Sequence, residues 1–327
     1  MKPITELKIF SGSTGKVFAE RISKYLQVEP GQSDVIIFSD GNTFVRINEP
    51  VRDKDVYLVQ PIGLNPNNEF VEIIFWIDAF KRASANSITL VMPYFGYAKG
   101  DKKDEPRVSI RARVCAECIE LAGVDRIITM DLHAPQIQGF FKKAVDHLSA
   151  EPLLSHYIKT LNLENLVVVS PDAGFMKNAK EFATSLNAPV AVGIKERKTH
   201  DEMPEIFEVI GDVAGKNALI VDDFSASGNS LINMAHALKQ KNAKQIYAAI
   251  SHVLLNESAI RRIEESPIDC LIVTDTVFNN NVLKSDKIKL ISVAPLFAET
   301  ILCLHKRKSL GNLFKNIPQR VFDYSEL

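Results

Sequence analysis

Short, wholly apolar runs alternate along this chain with longer stretches in which apolar residues return every third or fourth position. The runs DVYLVQ (55–60), SITLVMPY (87–94), RIITMDLH (126–133), LVVVSPD (166–172), ALIVDD (218–223) and QIYAAISH (245–252) read as buried strands. Between them, EFVEIIFWIDAFKRA (69–83) and SLINMAHALKQ (230–240) carry helical spacing. The alternation predicts an α/β fold of strand–helix–strand units around mostly parallel sheets.

The two halves echo one another. AFKRASANSI (79–88) and ALKQKNAKQI (237–246) share Ala, an apolar residue, Lys and a later Ala-x-x-Ile, each leading from a helix end into a strand. A second echo sets Ile127 and His133 against Ile246 and His252, with a histidine at the far end of a strand in both halves. Together they predict a duplicated chain with a boundary near residues 147–152. At 327 residues the chain also exceeds what one core usually grows to, so two domains are expected.

Composition narrows the classes of partner. Hydrophobic residues make up 46% and charged residues 24%, as in a soluble globular protein. With 39 Lys and Arg against 40 Asp and Glu, the chain lacks the basic excess of a phosphate-backbone binder, so nucleic acid is not an expected partner. No segment reaches the ~18 apolar residues that span a bilayer, and MKPITELKIF has no signal-like core, which predicts a cytoplasmic protein without membrane contact. Four cysteines are too few for a disulfide framework, and Cys115 and Cys118, three apart on a helical pattern, are expected to be buried small apolar groups.

The most informative stretch is Asn217-Ala-Leu-Ile-Val-Asp-Asp-Phe-Ser-Ala-Ser-Gly-Asn-Ser230, an apolar strand ending in two acids, then a small-residue loop that opens a helix. Carboxylates at the carboxyl end of such a strand, Asp222 and Asp223, can accept hydrogen bonds from a cis-diol. Ser227, Gly228, Asn229 and Ser230 offer hydroxyls, backbone N–H groups and a helix N-terminus, which favour a phosphate dianion. A diol at one end and a phosphate at the other describe ribose 5-phosphate. The simpler alternative has Ser230 capping the helix and the two acids facing water.

In the first half, Lys99, Lys102, Lys103 and Arg107 concentrate positive charge within PYFGYAKGDKKDEPRVSI (93–110), suiting either a triphosphate or a solvated basic face. His133 follows an apolar strand and precedes Ala-Pro; it either meets a magnesium-bound phosphate or satisfies a backbone carbonyl. KERKTHDEMPE (195–205) is a charged run between two strand-like segments, hence a surface loop.

The 217–230 segment resembles the phosphoribosyl-binding motif of the type I phosphoribosyltransferase fold, and further stretches narrow the resemblance to the ribose-phosphate pyrophosphokinases. DLHAPQIQGFF (131–141), FSDGN (38–42) and SPDAG (170–174) are similar to segments of that family. The resemblance runs from about Leu7 to Phe314 and implies two tandem phosphoribosyltransferase-like domains, 1–149 on the ATP side and 150–327 on the ribose-5-phosphate side, with the last segment able to pack back on the first domain. It implies diphosphoryl transfer from ATP, with Mg2+, to ribose 5-phosphate, the sugar phosphate lying along Asp222, Asp223 and Ser225, Ala226, Ser227, Gly228, Asn229 and Ser230. ATP contacts are implied for Phe38, Asp40, Asn42, Lys99, Gly100, Asp101, Lys103 and His133. Metal contacts fall to His133 and Asp172, and catalytic cations on a closing loop to Lys195 and Arg197.

The resemblance further implies a homo-oligomer built from dimers, commonly a hexamer, responding to phosphate and ADP through Arg52, Arg107, Gln138, Asp146 and Ser309. Several positions depart from the family pattern: Ala226 for an aspartate, Asn229 for a glycine, Asn42 for a glutamate, Lys99-Gly100 for Arg-Gln, Phe175 for a glycine and Gly311 for a serine. Two other readings stay in view. A non-catalytic regulatory partner of such an enzyme is set against retention of Asp222, Asp223, His133, Asp172, Lys195 and Arg197; a base-using phosphoribosyltransferase has no use for the 93–141 apparatus.

Overall fold

A computed structural model describes residues 6–196 and 206–325. It divides into two compact units. Of the described residues, the first comprises those up to Ser149 with Thr276–Phe278 and Ser292–Ser325; the second comprises those from Ala150 to Asp275 and Asn279–Ile291.

The first unit is built on β1 (Leu7–Ser11), β4 (Asp55–Val59), β5 (Ser87–Met92), β6 (Arg126–Met130) and β7 (Ala144–Leu148), in that spatial order and all parallel. Between β1 and β4 lie α1 (Lys16–Leu26) and a separate antiparallel ribbon, β2 (Ser33–Ile37) with β3 (Thr43–Ile47). α2 (Pro66–Arg82) and α3 (Arg111–Ala122) link the later strands. Its core centres on Trp76, stacked on Phe80 at 5.4 Å, and on Phe10, 4.9 Å from Phe80.

The second unit repeats the plan. β8 (Leu166–Ser170), β11 (Asn217–Ser225), β12 (Gln245–Val253), β13 (Cys270–Thr274) and β14 (Ile288–Ile291) are parallel neighbours, linked by α5 (Met176–Leu186), α6 (Asn229–Gln240) and α7 (Glu257–Glu265). The ribbon counterpart, β9 (Val190–Glu196) with antiparallel β10 (Ile206–Ile210), here extends the main sheet through parallel pairing of β9 to β8. Its core holds smaller residues, among them Ala218, Ala235 and Ala248.

The first sequence echo joins truly equivalent places. In the first unit Ile88 N–H donates to the Asp125 carboxylate at 2.9 Å, and Asp125 N–H returns to the Ile88 carbonyl at 2.9 Å. In the second, Ile246 and Asp269 make the same reciprocal pair, both bonds at 2.8 Å. The second echo does not: β6 corresponds to β13, not to β12. His133 lies in an exposed turn past the end of β6, whereas His252 is buried inside β12. A shared apolar period had aligned two strands one step out of phase.

Two helices are exchanged between the repeats. After β7 the chain enters α4 (Glu151–Thr160), which packs on α5 in the second unit; after β14 it enters α8 (Ala294–His305), which packs on α1 in the first. α8 is held there by Phe297 edge-on to Phe18 at 5.2 Å, by the Tyr25 hydroxyl donating to Glu299 at 2.7 Å, and by His305 Nδ1, 3.1 Å from Asp55. α9 (Leu310–Lys315) and α10 (Gln319–Asp323) close the segment.

Cys115 is buried in α3 and burial pushes its thiol up to about 11, but Cys118 is only half-buried. Residues three apart on a helix sit about 60° from each other, enough to leave Cys118 at the edge of the buried stripe.

Candidate active site

Strand β11 runs two residues beyond the expected end at Asp223, to Ser225, because β12 goes on pairing with it as far as Ser225 and Val253. Ser225 is therefore buried strand, and the exposed loop proper is Ala226 and Ser227, followed by Gly228 at φ +74° as the cap of α6. That left-handed backbone favours glycine. Ser230 lies inside α6, not at its cap, and the cap residue, Gly228, has no side chain to offer. The capping alternative for Ser230 is thus removed, and the first-turn N–H groups of α6 face the loop. The Ser227 hydroxyl lies 3.4 Å from Asn229 N–H.

Asp223 is buried, and its N–H donates to Asp222 Oδ1 at 2.9 Å. Burial first, then the adjacent Asp223 carboxylate and more weakly Asp172, hold the Asp222 carboxyl well above the usual carboxylate range. Asp172 stands in the turn between β8 and α5, exposed, with Phe175 N–H donating to its Oδ1 at 3.1 Å and Ser170 Oγ donating to its carbonyl at 2.7 Å. Three acids converging on one sheet end repel each other, a strain that a bound cation or diol relieves. No group of three or more His, Cys, Asp or Glu is arranged as a metal cage among the described residues.

In the first unit, Phe38, Asp40 and Asn42 form the tip of the β2–β3 ribbon. Phe38 is half exposed, its ring 6.1 Å from Phe44. Both Asp40 oxygens are occupied by Asn42, from its N–H at 3.0 Å and its amide at 2.8 Å, and these bonds lower the Asp40 carboxyl. Asn42 thus locks a turn that a glutamate would have strained by like-charge repulsion. Lys99 and Gly100 lie on a single 3-10 turn, Ala98–Gly100, with Asp101 next and Lys103 exposed beyond. A Cβ on Gly100 would come within 2.7 Å of Arg111 Nε.

His133 sits in the exposed turn before a 3-10 segment, Pro135–Phe140. That turn is propped by His147, a residue the sequence did not single out: its Nε2 accepts Leu132 N–H at 2.9 Å, and burial lowers its pKa, which keeps the ring neutral as an acceptor. Among the residues implied in regulation, Asp146 is paired with Arg126 at 2.7 Å and Gln138 donates to the Pro135 carbonyl at 2.9 Å. Arg52, Arg107 and Ser309 are exposed. Lys195 stands on β9 opposite Phe207, and Arg197 lies outside the described residues. An open cavity of about 600 Å³ lies elsewhere in the first unit, against Ser11, Lys16, Asp34 and Arg46, and takes in none of the residues singled out from sequence.

A repeated parallel-sheet unit, carrying paired carboxylates on a strand that feeds a small-residue loop and a helix N-terminus, defines a phosphoribosyltransferase-type α/β protein. Residues 7–123 match the N-terminal domain of ribose phosphate pyrophosphokinase, and residues 199–315 match the phosphoribosyl synthetase-associated domain. The chain belongs to the ribose-phosphate pyrophosphokinase family. It is 45% identical to the ribose-phosphate pyrophosphokinase of Caldanaerobacter subterraneus subsp. tengcongensis, over 94% of this chain and 98% of that one. It is 42% identical to that of Clostridium acetobutylicum, over 94% and 97%. The crystal structure of phosphoribosylpyrophosphate synthetase from Mycobacterium smegmatis superposes with a TM-score of 0.86 at 34% identity, covering 92% of this chain and 99% of that one.

Proposed function

We propose that this chain transfers the β,γ-diphosphoryl group of ATP to the anomeric hydroxyl of D-ribose 5-phosphate, giving 5-phospho-α-D-ribose 1-diphosphate and AMP. The observation that carries this reading is the order of groups along β11 and α6: paired carboxylates, exposed hydroxyl, and the N–H groups of a helix start capped by glycine. Asp222 and Asp223 take the ribose hydroxyls; Ser227 to Ser230 take the 5-phosphate. ATP is assigned to the first unit, with adenine at Phe38, Asp40 and Asn42 and phosphates at Lys99, Gly100, Asp101, Lys103 and His133.

His133 and Asp172 are the residues that would hold Mg2+, which when bound neutralises charge on the diphosphoryl oxygens. Lys195 and Arg197 are assigned the cationic role at the transferring group, where preorganised charge lowers the barrier most. Exposed Val71, Phe75, Val114 and Leu121 on α2 and α3, with Ile37 and Phe38 on the ribbon, support a homo-oligomer, proposed as a hexamer. Phosphate as an activator at Arg52, Arg107, Gln138, Asp146 and Ser309 belongs to the same proposal. No helix among the described residues is long and apolar enough to cross a membrane, and the cytoplasm is the proposed location.

The test is AMP release by the purified full chain with Mg-ATP and ribose 5-phosphate. Release that depends on the sugar phosphate is expected. Its absence across a range of phosphate concentrations would overturn the catalytic reading in favour of a regulatory partner.

A further inference from the structure

The loop that closes the second unit's site is held from outside by a residue on a different helix. Arg262 lies on α7, whose start is fixed by Asn256 accepting Ala259 N–H at 2.8 Å and whose inner face buries Ala259, Ile260 and Ile263. From there its guanidinium reaches the loop at two points: Nη1 donates to Asn229 Oδ1, and Nη2 donates to the Ser227 carbonyl at 2.9 Å. Nε lies 3.4 Å from the Ser258 carbonyl of its own helix, which steadies the planar head. The two anchor points flank Gly228, the one residue of the loop in left-handed backbone.

We infer that Arg262 is a positioning residue for the 5-phosphate of the pentose substrate, acting through the Ser227–Asn229 turn; this rests on the reading of that turn as the sugar-phosphate site. In a trans peptide the C=O and N–H of one unit point in opposite directions. With the Ser227 carbonyl drawn outward to Arg262, the N–H of Gly228 is turned to the opposite side, where a phosphate can meet it. Drawing Asn229 Oδ1 outward removes an acceptor that would otherwise repel phosphate oxygens. A planar fork holds two acceptors at once, which an ammonium on a flexible stem does not do equally well. Asn229, which replaces the family's glycine, thus acquires a structural reason: its side chain supplies the second anchor.

The test uses initial-rate kinetics of the full chain, with ribose 5-phosphate and Mg-ATP varied separately, on wild type, Arg262→Gln, Arg262→Lys, Asn229→Gly and the Arg262→Gln/Asn229→Gly double variant. Wild type must first show sugar-phosphate-dependent AMP release; if it does not, the function is wrong and not the positioning role. Given activity, Arg262→Gln is expected to raise KM for ribose 5-phosphate about 10- to 100-fold, as for loss of charge-assisted hydrogen bonds, with KM for ATP within twofold.

Arg262→Lys, which keeps the charge and loses the fork, is expected to raise the same KM at least about fivefold. The Gln substitution should cost less in the Asn229→Gly background, since the two residues share one contact. An unchanged ribose 5-phosphate KM in Arg262→Gln overturns the inference, as does a lysine variant indistinguishable from wild type. A parallel rise in both KM values, which general loosening would give, also overturns it. If Arg262→Gln does not fold, the lysine variant carries the decision alone.

Discussion

The loop after β4 in the first unit and the loop after β11 in the second occupy the same place in the repeated plan, and they have opposite electrostatics. In the second unit the helix start is capped by Gly228, with the Ser227 hydroxyl at a long 3.4 Å from Asn229 N–H, and two carboxylates precede it on the strand. In the first unit the helix supplies its own anion: Glu69, one turn into α2 and only 2% exposed, accepts Gly63 N–H at 2.5 Å and Asn65 N–H at 3.0 Å. One turn further, Glu72 fills the neighbouring loop after β1, taking Ser13 N–H at 2.8 Å, the Ser13 hydroxyl and Trp76 Nε1 at 3.1 Å. Donors that in one repeat stay available to a ligand are, in the other, satisfied by the chain itself. Duplication supplied two equivalent sites, and buried glutamates turned one into scaffold.

The contrast can be broken hardest at the open loop. Asp222→Asn and Asp223→Asn are each expected to lower ribose-5-phosphate-dependent AMP release about 10²- to 10³-fold in steady-state assays, whereas Glu69→Gln should leave kcat and the sugar-phosphate KM within about threefold. A large kinetic loss at Glu69 would mean that the first loop is not silent. In stability the order reverses. Glu69→Ala removes the acceptor of the half-buried Gly63 N–H and of the Asn65 N–H and is expected to cost about 1–2 kcal/mol in urea unfolding.

The two acids also differ in how pH reaches them. Burial raises Glu69, but the Gly63 and Asn65 N–H bonds pull it back, while Asp222 is raised by burial and by Asp223 together. Because the folded chain holds the Asp222 proton more tightly than the unfolded chain, the stability it contributes is full below the unfolded carboxylate range and is lost as pH rises through the folded value. Asp222→Asn should therefore melt higher than wild type at pH 7–8, with the difference closing near pH 4. Thermal melts across that range decide it. The smallest expected effect lies at α7: Asn256→Ala removes the cap of the helix that carries Arg262 and should cost about 1 kcal/mol in the same unfolding assay, with a rise of a few-fold in the sugar-phosphate KM.

Much of this arrangement was written in the local sequence. Apolar period placed six strands and two helices close to where they stand, and β11 overran its expected end by only two residues because pairing with β12 continued through polar side chains. The Ala79–Ile88 and Ala237–Ile246 echo was true because both segments end on an isoleucine locked to an aspartate. The His133 and His252 echo was not, since apolar strands resemble each other more than their positions in a sheet do.

Sequence alone determined what depends on neighbours along the chain: the α/β plan, the acid–loop–helix order of residues 217–230, and the family to which that order leads. Only the tertiary structure decided which loop stays open, because Glu69 and Glu72 look in sequence like the polar side of an amphipathic helix and prove buried only once the loops fold over them. The exchange of α4 and α8 between repeats, the His147 prop under the His133 turn and the reach of Arg262 to Asn229 belong to the same class. Each joins groups whose meeting is set by packing of whole elements, which no local period encodes.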